Sequence, residues 1–292
     1  MDEETFTGRL AELFAAAPSV HTGIGDDCAV LDTGDEKTFL LAAADQVISS
    51  VHFLPGTPPE KVAAKLLKRN ISDICAMGGI PLYALVTVAG NPLEEETLLR
   101  FHRGLEACAR AYEVSIIGGD TAKCFAPGLV STLTILGKVE KEKLCLRKNA
   151  AQGDFLYATG VFGNSFLSEH HLSFAPRVKE GRFLAGKYTS AMMDVSDGLL
   201  KDARRLAAAS GLSVEIEKEL VPLRQGATPK NALSDGEDYE LIFAVSPEKS
   251  ASLEKEWPFP DVPLTRIGRF TAKKEGEEEA TGGFDHLAGE KP

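Results

Sequence analysis

Apolar residues recur along this chain at two spacings, and the change from one to the other predicts a mixed α and β protein. Short apolar runs and alternating apolar positions indicate strands at residues 28–31, 38–44, 83–89, 114–117, 129–139, 154–158, 213–217 and 241–245. Spacings of three and four indicate helices at about 94–112, 162–172 and 197–210, and a fourth that begins at Pro59 and stops before Gly78. This order of elements favours an α+β or α/β architecture in two halves.

A charged segment separates the two halves. Residues 140–153 are rich in Lys and Glu and lie between an alternating strand and an apolar one. The chain of 292 residues is long enough for two domains of about 150 residues each. We therefore expect an N-terminal domain over 1–145 and a C-terminal domain over 146–292.

The overall charge narrows the class of protein. The formal net charge is −11, whereas proteins that bind nucleic acid normally carry a basic face. Nucleotide binding stays open, because a bound metal ion reverses the field around it. The five cysteines are odd in number and form no CxxC pair, so neither a zinc site nor a disulfide framework is indicated.

The start of the chain and its hydropathy predict where the protein works. The first residues have neither the basic nor the apolar region of a signal peptide. No run approaches the roughly 18 apolar residues that a membrane span needs. We expect a cytoplasmic protein with no membrane partner and no nucleic-acid partner.

Five short acidic motifs are the strongest chemical signal, and most are bordered by glycine or by apolar runs. They are GIGDD at 23–27, NISD at 70–73, GGDT at 118–121, DVSDG at 194–198 and DGEDYEL at 235–241. Clustered carboxylates without basic partners repel one another and need cations. Mg²⁺ takes oxygen ligands and commonly bridges a few carboxylates to substrate phosphates. The pattern predicts a multi-metal phosphate site built from distant segments.

Position along the predicted elements separates the stronger acidic candidates from the weaker ones. Asp73 lies one turn before the end of a helix, where the helix dipole disfavours an acid, so we interpret it as functional. Asp27 follows a glycine turn and is equally compatible with a metal ligand and with an Asx turn. Asp45 ends an apolar strand, where an unpaired acid has little structural purpose, but the signal is weak by itself.

Two of the motifs supply candidate phosphate ligands. Gly118 and Gly119 follow a predicted strand and would expose backbone N–H groups to phosphate oxygens, with Asp120 beside them to hold a bridging metal. Neither a Walker A loop nor a Rossmann fingerprint occurs in the sequence. In DVSDG, Ser196 or Asp197 is a natural helix N-cap, and the same position suits a phosphate or its metal.

Basic and aromatic candidates are sparse around these motifs. Arg147 is the best candidate for a guanidinium fork on a phosphate, although a solvated linker residue is an equal interpretation. His52 and the stretch 284–286 each combine a ring with a polar tip, which suits either stacking on a flat heteroaromatic substrate or a buried core position. The acids at 237–240 precede a predicted strand and divide evenly between a functional and a structural interpretation.

Taken in order, these motifs and their neighbours resemble the thiamine-monophosphate kinase family of the aminoimidazole ribonucleotide synthetase superfamily. The resemblance extends from about residue 20 to 287 and includes KLLKRNISDICAMGG at 65–79, LRKNAAQGD at 146–154, MDVSDGLLKD at 193–202, ALSDGEDYEL at 232–241 and GFDH at 283–286. It implies direct transfer of the γ-phosphoryl group of ATP to thiamine monophosphate, which gives thiamine diphosphate and ADP. It also implies two α+β domains, the first ferredoxin-like, and a homodimer that pairs the sheets of the N-terminal halves.

The resemblance further implies roles for individual residues. Several Mg²⁺ ions would be held by Asp27, Asp45, Asp73, Asp120, Asp194 and Asp197. ATP would contact Gly119, Asp120, Arg147 and Ser196. The thiamine moiety would contact His52, Glu237 and Phe284, with the Phe284 ring stacking on it. No covalent nucleophile is expected.

Three features depart from the family pattern. Ala44 stands where the family carries a hydroxyl residue before the acid at Asp45, so one metal ion is expected to bind more weakly or through water. Residues 162–172 contain bulky aromatic and His residues in place of a small-residue run, and the C-terminal half is shortened. Two alternatives stay open: another ATP-using enzyme of the superfamily, and a nucleotide-binding homologue without catalysis.

Overall fold

The first of two sheets is built from the N-terminal half of the chain. The computed structural model describes residues 3–273. The strands of the first sheet are β1 Val20–Thr22, β2 Ala29–Leu31, β3 Thr38–Ile48, β4 Ile80–Asn91, β5 Ser115–Lys123 and β6 Gly128–Glu140, in the order β1-β2-β3-β6-β4-β5. Neighbouring strands are antiparallel, except that β4 and β5 are parallel and are joined by a helical crossover.

The second sheet is antiparallel throughout and uses the C-terminal half. Its strands are β7 Phe155–Thr159, β8 Met192–Asp194, β9 Leu212–Ile216, β10 Leu241–Val245 and β11 Leu264–Ala272, in the order β8-β10-β7-β11-β9. β10 is buried at every position, which explains why its sequence is a continuous apolar run rather than an alternating one. The boundary near residue 145 stays a prediction; β6 ends at Glu140 and β7 begins at Phe155.

Eight α-helices accompany the sheets in the part of the chain that the structure describes. They are α1 Glu3–Leu13, α2 Pro59–Ala76, α3 Glu95–Ala111, α4 His170–Ser173, α5 Val178–Leu184, α6 Leu199–Ala209, α7 Pro229–Ser234 and α8 Pro247–Glu256. None of the helices within residues 3–273 is long and apolar enough to span a membrane. The two α+β units agree with the predicted fold class.

Helix α2 lies between the two halves. It packs on β3, β4, β6 and α3 of the first half and on α4, α5 and β8 of the second. Because it is covered on nearly every side, its buried residues include polar ones as well as apolar ones, among them Lys65, Arg69, Asn70 and Ser72. Buried polar groups are retained when they are paired. The position of α2 therefore places a row of paired polar side chains at the junction of the two halves.

The limits of α2 follow from its sequence as predicted. Pro59 occupies the first turn, where its missing N–H is not needed. The helix ends at Ala76, and Gly78 has a φ of 71°, the left-handed conformation that glycine adopts after a helix. Close packing of α3 on α2 also requires glycine, because a Cβ at Gly104 would lie 2.4 Å from the Cα of Glu60.

One face of the first sheet is left open by residues 3–273. Helices α2 and α3 bury inward residues such as Val86 on β4, whereas Tyr83, Leu85, Ile117 and Val130 are exposed on the strands β4, β5 and β6. An exposed group of large apolar side chains is typical of an interaction surface.

Three predictions about local structure were wrong. Strand β3 continues beyond Asp45 to Ile48, because residues 45–48 stay paired with β6, so Asp45 lies within a strand. The motif GGDT lies inside β5 rather than after it, because it pairs with β4 from Leu85 onward. The predicted helix over 162–172 is mostly irregular, and α4 begins only at His170.

Candidate functional site

A cleft of about 850 Å³ gathers most of the acidic motifs. Its walls come from α1, the GIGDD turn, β3, α2, the segment at Arg147, the DVSDG motif and Tyr239. These segments are far apart in sequence and meet because α2 is packed against both halves. The cleft contains Asp27, Asp45, Asp73, Asp194, Asp197, Arg147 and Ser196.

The centre of the cleft is a carboxylate triad of Asp27, Asp73 and Asp194. One oxygen of each carboxylate lies within 4.8 Å of the others. Burial and the neighbouring carboxylates raise the pKa of Asp73 and of Asp194 well above the ordinary range. The Ser72 hydroxyl donates a hydrogen bond of 2.5 Å to Asp194. Three convergent carboxylates, two of which are disfavoured in their charged forms, Asp73 and Asp194, suit a divalent cation with oxygen ligands.

Arg147 lies at one edge of the triad. Its Nη2 donates to Asp27 Oδ1 at 2.5 Å, and its backbone N–H donates to Asp26 Oδ2 at 3.1 Å. Burial and the charge of Asp27 raise the pKa of Asp26 to about 7. Arg147 is therefore held in the cleft by the GIGDD turn, and it is not a solvated linker residue.

Asp45 is engaged by a cation from the protein itself. Arg69 on α2 donates from Nε to Asp45 Oδ2 at 3.0 Å and from Nη2 to Oδ1 at 3.3 Å. A third bond runs from Arg69 Nη1 to the carbonyl of Gln46 at 2.8 Å. The neighbouring Ala44 offers no side-chain oxygen. Asp45 thus resembles Asp27, because each carboxylate has both oxygens bonded by one guanidinium fork, from Arg69 and Arg147 respectively.

The DVSDG motif is ordered by a residue that sequence reasoning missed. Asp202 Oδ2 accepts hydrogen bonds from the backbone N–H groups of Ser196 at 3.0 Å and Asp197 at 2.9 Å. The N-cap of α6 is Gly198, so the predicted capping by Ser196 or Asp197 was wrong. Asp197 instead accepts from Arg205 at 2.6 Å. An acid in the first turn of α6 was the available signal for Asp202.

Gly119 and Asp120 lie away from the triad within one chain. Strand register aligns Asp45 on β3 with Leu133 on β6, Val86 on β4 and Gly119 on β5. Three strand spacings of roughly 4.8 Å place Gly119 about 14 Å from Asp45. The structure does not bring the GGDT motif into the cleft of its own chain.

A second cluster of polar residues forms where α2 meets the C-terminal half. The Lys65 cluster consists of Lys65, Glu237, His171 and His52. Lys65 Nζ lies 2.6 Å from Glu237 Oε1 and 2.8 Å from His171 Nδ1, and it donates to the carbonyl of His52 at 2.5 Å. Two of the predicted thiamine-contact residues, His52 and Glu237, are thereby joined through one buried ammonium group. His171 and Lys65 were not predicted.

The Lys65 cluster has internal charge balance. Burial pushes the pKa of Glu237 upward, but the hydrogen bond from His171 and the charge of Lys65 outweigh it and hold the value at about 2. Burial lowers the pKa of Lys65 to about 8 against the attraction of Glu237. Phe284, the third predicted thiamine contact, lies outside the described residues.

Tyr239 closes one side of the cleft. It is 2% exposed, and its ring stacks on Phe174 with centroids 4.0 Å apart. Its hydroxyl has no hydrogen-bond partner among residues 3–273. Glu237 and Tyr239 both have positive φ angles, 65° and 52°. Non-glycine residues hold this conformation only where their surroundings impose it, and such residues concentrate at functional sites.

Family models match both halves of the chain. Residues 25–139 match the model of the AIR synthase related protein, N-terminal domain, and residues 156–280 match that of its C-terminal domain. The two matched segments cover most of the two sheets, although β1 lies before the first of them.

Curated relatives and a solved structure cover nearly the whole chain. A thiamine-monophosphate kinase of Rhodopirellula baltica is 37% identical over 93% of this chain and 90% of its own length. One of Bacillus subtilis is 34% identical over 87% of each. The structure described as AaThiL complexed with AMPPCP and TMP superposes with a TM-score of 0.84 at 28% identity, over 98% of this chain and 97% of the other.

Proposed function

The chain belongs to the thiamine-monophosphate kinase family, and from this we propose that it transfers the γ-phosphoryl group of ATP to thiamine monophosphate by direct in-line attack. The observation that carries the proposal is the convergence of Asp27, Asp73 and Asp194 from three distant segments. The triphosphate of ATP and the phosphate of thiamine monophosphate repel each other, and catalysis of phosphoryl transfer consists mainly of positioning and of charge neutralisation. The products are thiamine diphosphate and ADP.

The donor set fits Mg²⁺. Asp27, Asp73 and Asp194 provide hard oxygen ligands whose mutual repulsion a divalent ion would relieve. Bound Mg²⁺ would neutralise the phosphates and polarise the transferred group. Asp197 and Asp45 lie in the same cleft and are further candidate ligands. A metal would have to displace Arg205 and Lys201 from Asp197 and the fork of Arg69 from Asp45.

The groups around the triad would bind and orient ATP. We propose that Arg147 turns its guanidinium from Asp27 to a phosphate oxygen when the nucleotide enters. Ser196 lies at the N-terminal end of α6, where Asp202 holds the backbone in place. This arrangement keeps the donors of the motif pre-organised, which reduces the ordering cost of binding.

The opposite end of the site would receive the thiamine moiety. His52 and Glu237 are fixed by Lys65, so their positions are set before the acceptor binds. Glu237 stays ionised at neutral pH because its pKa is held at about 2. A fixed negative charge suits polar contact with a cationic heterocycle, and we assign stacking on that ring to Phe284 as the sequence predicts.

We also propose that the chain forms a homodimer through the open face of the first sheet. Tyr83, Leu85, Ile117 and Val130 supply an apolar surface on the three strands β4, β5 and β6. Gly119 and Asp120 lie beside this surface on the edge strand β5. Their predicted roles toward ATP and metal would then be exercised in the assembled dimer.

The decisive test is catalysis by the purified protein. Incubation with ATP, Mg²⁺ and thiamine monophosphate should yield thiamine diphosphate and ADP in equal amounts. Absence of thiamine diphosphate at every Mg²⁺ concentration, with ATP still bound, would identify a silent nucleotide-binding homologue. ATP turnover with another acceptor but not with thiamine monophosphate would identify a different enzyme of the superfamily.

A further inference from the structure

The hydroxyl of Tyr239 is a buried polar group that the described part of the chain leaves unpaired. The residue is 2% exposed, and within residues 3–273 its hydroxyl finds no hydrogen-bond partner. Buried hydroxyls are almost always hydrogen-bonded, because desolvation without compensation is unfavourable. The exception in a native protein calls for an explanation, and a ligand that accepts from the hydroxyl is one.

The surroundings of Tyr239 hold its ring in one orientation. The ring stacks on Phe174 with an interplanar angle of 17°. The backbone N–H of Tyr239 donates to the carbonyl of Val195 at 2.8 Å, and that of Glu237 donates to Ser196 at 2.7 Å. The backbone of the DGEDYEL motif is therefore hydrogen-bonded to that of the DVSDG motif. The phenol is therefore held in one orientation in a residue that lines the cleft.

The neighbouring charges identify the kind of group that the hydroxyl would meet. The charged groups that act on the phenol are Arg69, Glu237, Asp45 and Asp194. Glu237 belongs to the Lys65 cluster, at the proposed thiamine end, and Asp194 to the carboxylate triad, at the proposed metal end, so charges of both groups act on the phenol. The part of thiamine monophosphate that would lie between a ring contact and a metal site is its phosphate group.

We propose that the Tyr239 hydroxyl donates a hydrogen bond to the phosphate group of thiamine monophosphate and so holds the attacking oxygen in position. The inference rests on the proposed function and adds to it a specific donor for the acceptor substrate. A donor to an anionic oxygen forms a stronger hydrogen bond than one to a neutral group. Removing it should weaken binding of thiamine monophosphate about tenfold, a loss of about 1.4 kcal/mol.

The test compares Tyr239→Phe with the wild type. Calorimetric titration with thiamine monophosphate should give a Kd about tenfold higher for the variant, whereas the Kd for AMPPCP and for unphosphorylated thiamine should stay unchanged. The thermal midpoint of the free variant should be equal to or higher than that of the wild type, because no native hydrogen bond is lost. A structural role would instead lower the midpoint.

Tyr157→Phe is the matched control. The Tyr157 hydroxyl is also buried, but it bonds to Ser250 at 2.6 Å and Glu254 at 2.5 Å. This variant should lose thermal stability and keep the Kd for thiamine monophosphate. Equal Kd values for Tyr239→Phe and the wild type would overturn the inference, as would an equal loss for thiamine. A wild type that binds thiamine monophosphate without forming thiamine diphosphate would refute the proposed function alone, and one that binds none would refute both.

Discussion

The carboxylate triad and the Lys65 cluster each contain one residue of helix α2, Asp73 and Lys65, but they differ in how their charges are balanced. In the Lys65 cluster, the chain supplies the cation, and the pKa of Glu237 is held at about 2. In the triad, burial and like charges raise the pKa of Asp73 and Asp194 well above the ordinary range. Glu237 is therefore neutralised within the protein, whereas Asp73 and Asp194 would be neutralised by a bound cation. Incomplete charge balance marks the place where the phosphates and their metal would bind.

Asp45 falls between these two extremes. It belongs to the cleft of the triad, yet Arg69 gives it the paired state of the Lys65 cluster. A guanidinium that also bonds to the Gln46 carbonyl is anchored at three points. The neighbouring Ala44 has no side-chain oxygen to offer a metal. Both observations favour a reduced role for metal at Asp45.

The largest expected effect comes from Asp73→Asn. The variant removes one ligand of the triad and should lower kcat about 10²–10³-fold, since a metal supplies several kcal/mol of transition-state stabilisation. Without Mg²⁺ its thermal midpoint should be unchanged or higher, because a repelling charge is gone. Steady-state kinetics and thermal scans check both parts. Asp45→Asn is the matched comparison and should lower kcat less. An equal loss of kcat would show that Asp45 matters as much to catalysis as the triad does.

Lys65→Met should have the next largest effect. It leaves Glu237 without its ammonium partner and should destabilise the fold by roughly 3 kcal/mol, as measured by denaturant titration. Adding Glu237→Gln should recover most of that loss but not the affinity for thiamine monophosphate. Lys61→Met is the control, because Lys61 and Glu169 form an exposed pair worth about 0.5 kcal/mol or less. If Lys65→Met alone were as stable as Lys61→Met, the charge balance described for the Lys65 cluster would be contradicted.

Mg²⁺ should stabilise the protein in a pH-dependent way. Burial and neighbouring acids raise the pKa of Asp26 and Asp202 from an ordinary 3.8 to about 7. Between these values the folded chain binds more protons than the unfolded chain, so stability falls as pH rises. Saturating Mg²⁺ at a hundred times its Kd should add about 2.7 kcal/mol. The gain in thermal midpoint should be larger at pH 8 than at pH 5. A gain that does not change with pH would show that protonation of these acids is not coupled to metal binding.

The smallest expected effect concerns the thiamine end. Phe284→Ala should raise KM for thiamine monophosphate by up to about tenfold, since ring stacking contributes about 0.5–1.5 kcal/mol. KM for ATP should stay the same and serves as the internal control. A change in KM for ATP alone would contradict the assignment of Phe284 to the binding of thiamine monophosphate.

Sequence reasoning predicted the periodic elements well and the irregular ones poorly. The strand at 241–245 and the helix from Pro59 carry strong patterns and were confirmed. Strand β3 was cut short at Asp45 because the polar residues Asp45 and Gln46 interrupt the apolar run. Pairing with β6 nevertheless continues to Ile48. The stretch 162–172 carries helical spacing, but its bulky side chains pack in an irregular segment before α4.

The candidate site divides in the same way. Motif order gathered Asp27, Asp73 and Asp194 correctly into one neighbourhood, because each acid has local context of its own. Lys65 and Arg69 were missed, since a lysine and an arginine on an amphipathic helix are ordinarily solvated. Only the packing of α2 on both halves turns them inward. Their roles depend on tertiary structure that no local pattern encodes.

Helix α2 also fixes the distance between the two ends of the site. Lys65, at the thiamine end, and Asp73, at the metal end, are eight positions apart on one continuous helix, which at a rise of ~1.5 Å per residue is about 12 Å. A rigid helix cannot shorten or lengthen that interval. Under the proposed function, an acceptor whose ring and phosphate are separated by a different span would contact one end and not the other, so the helix would select substrates by their length.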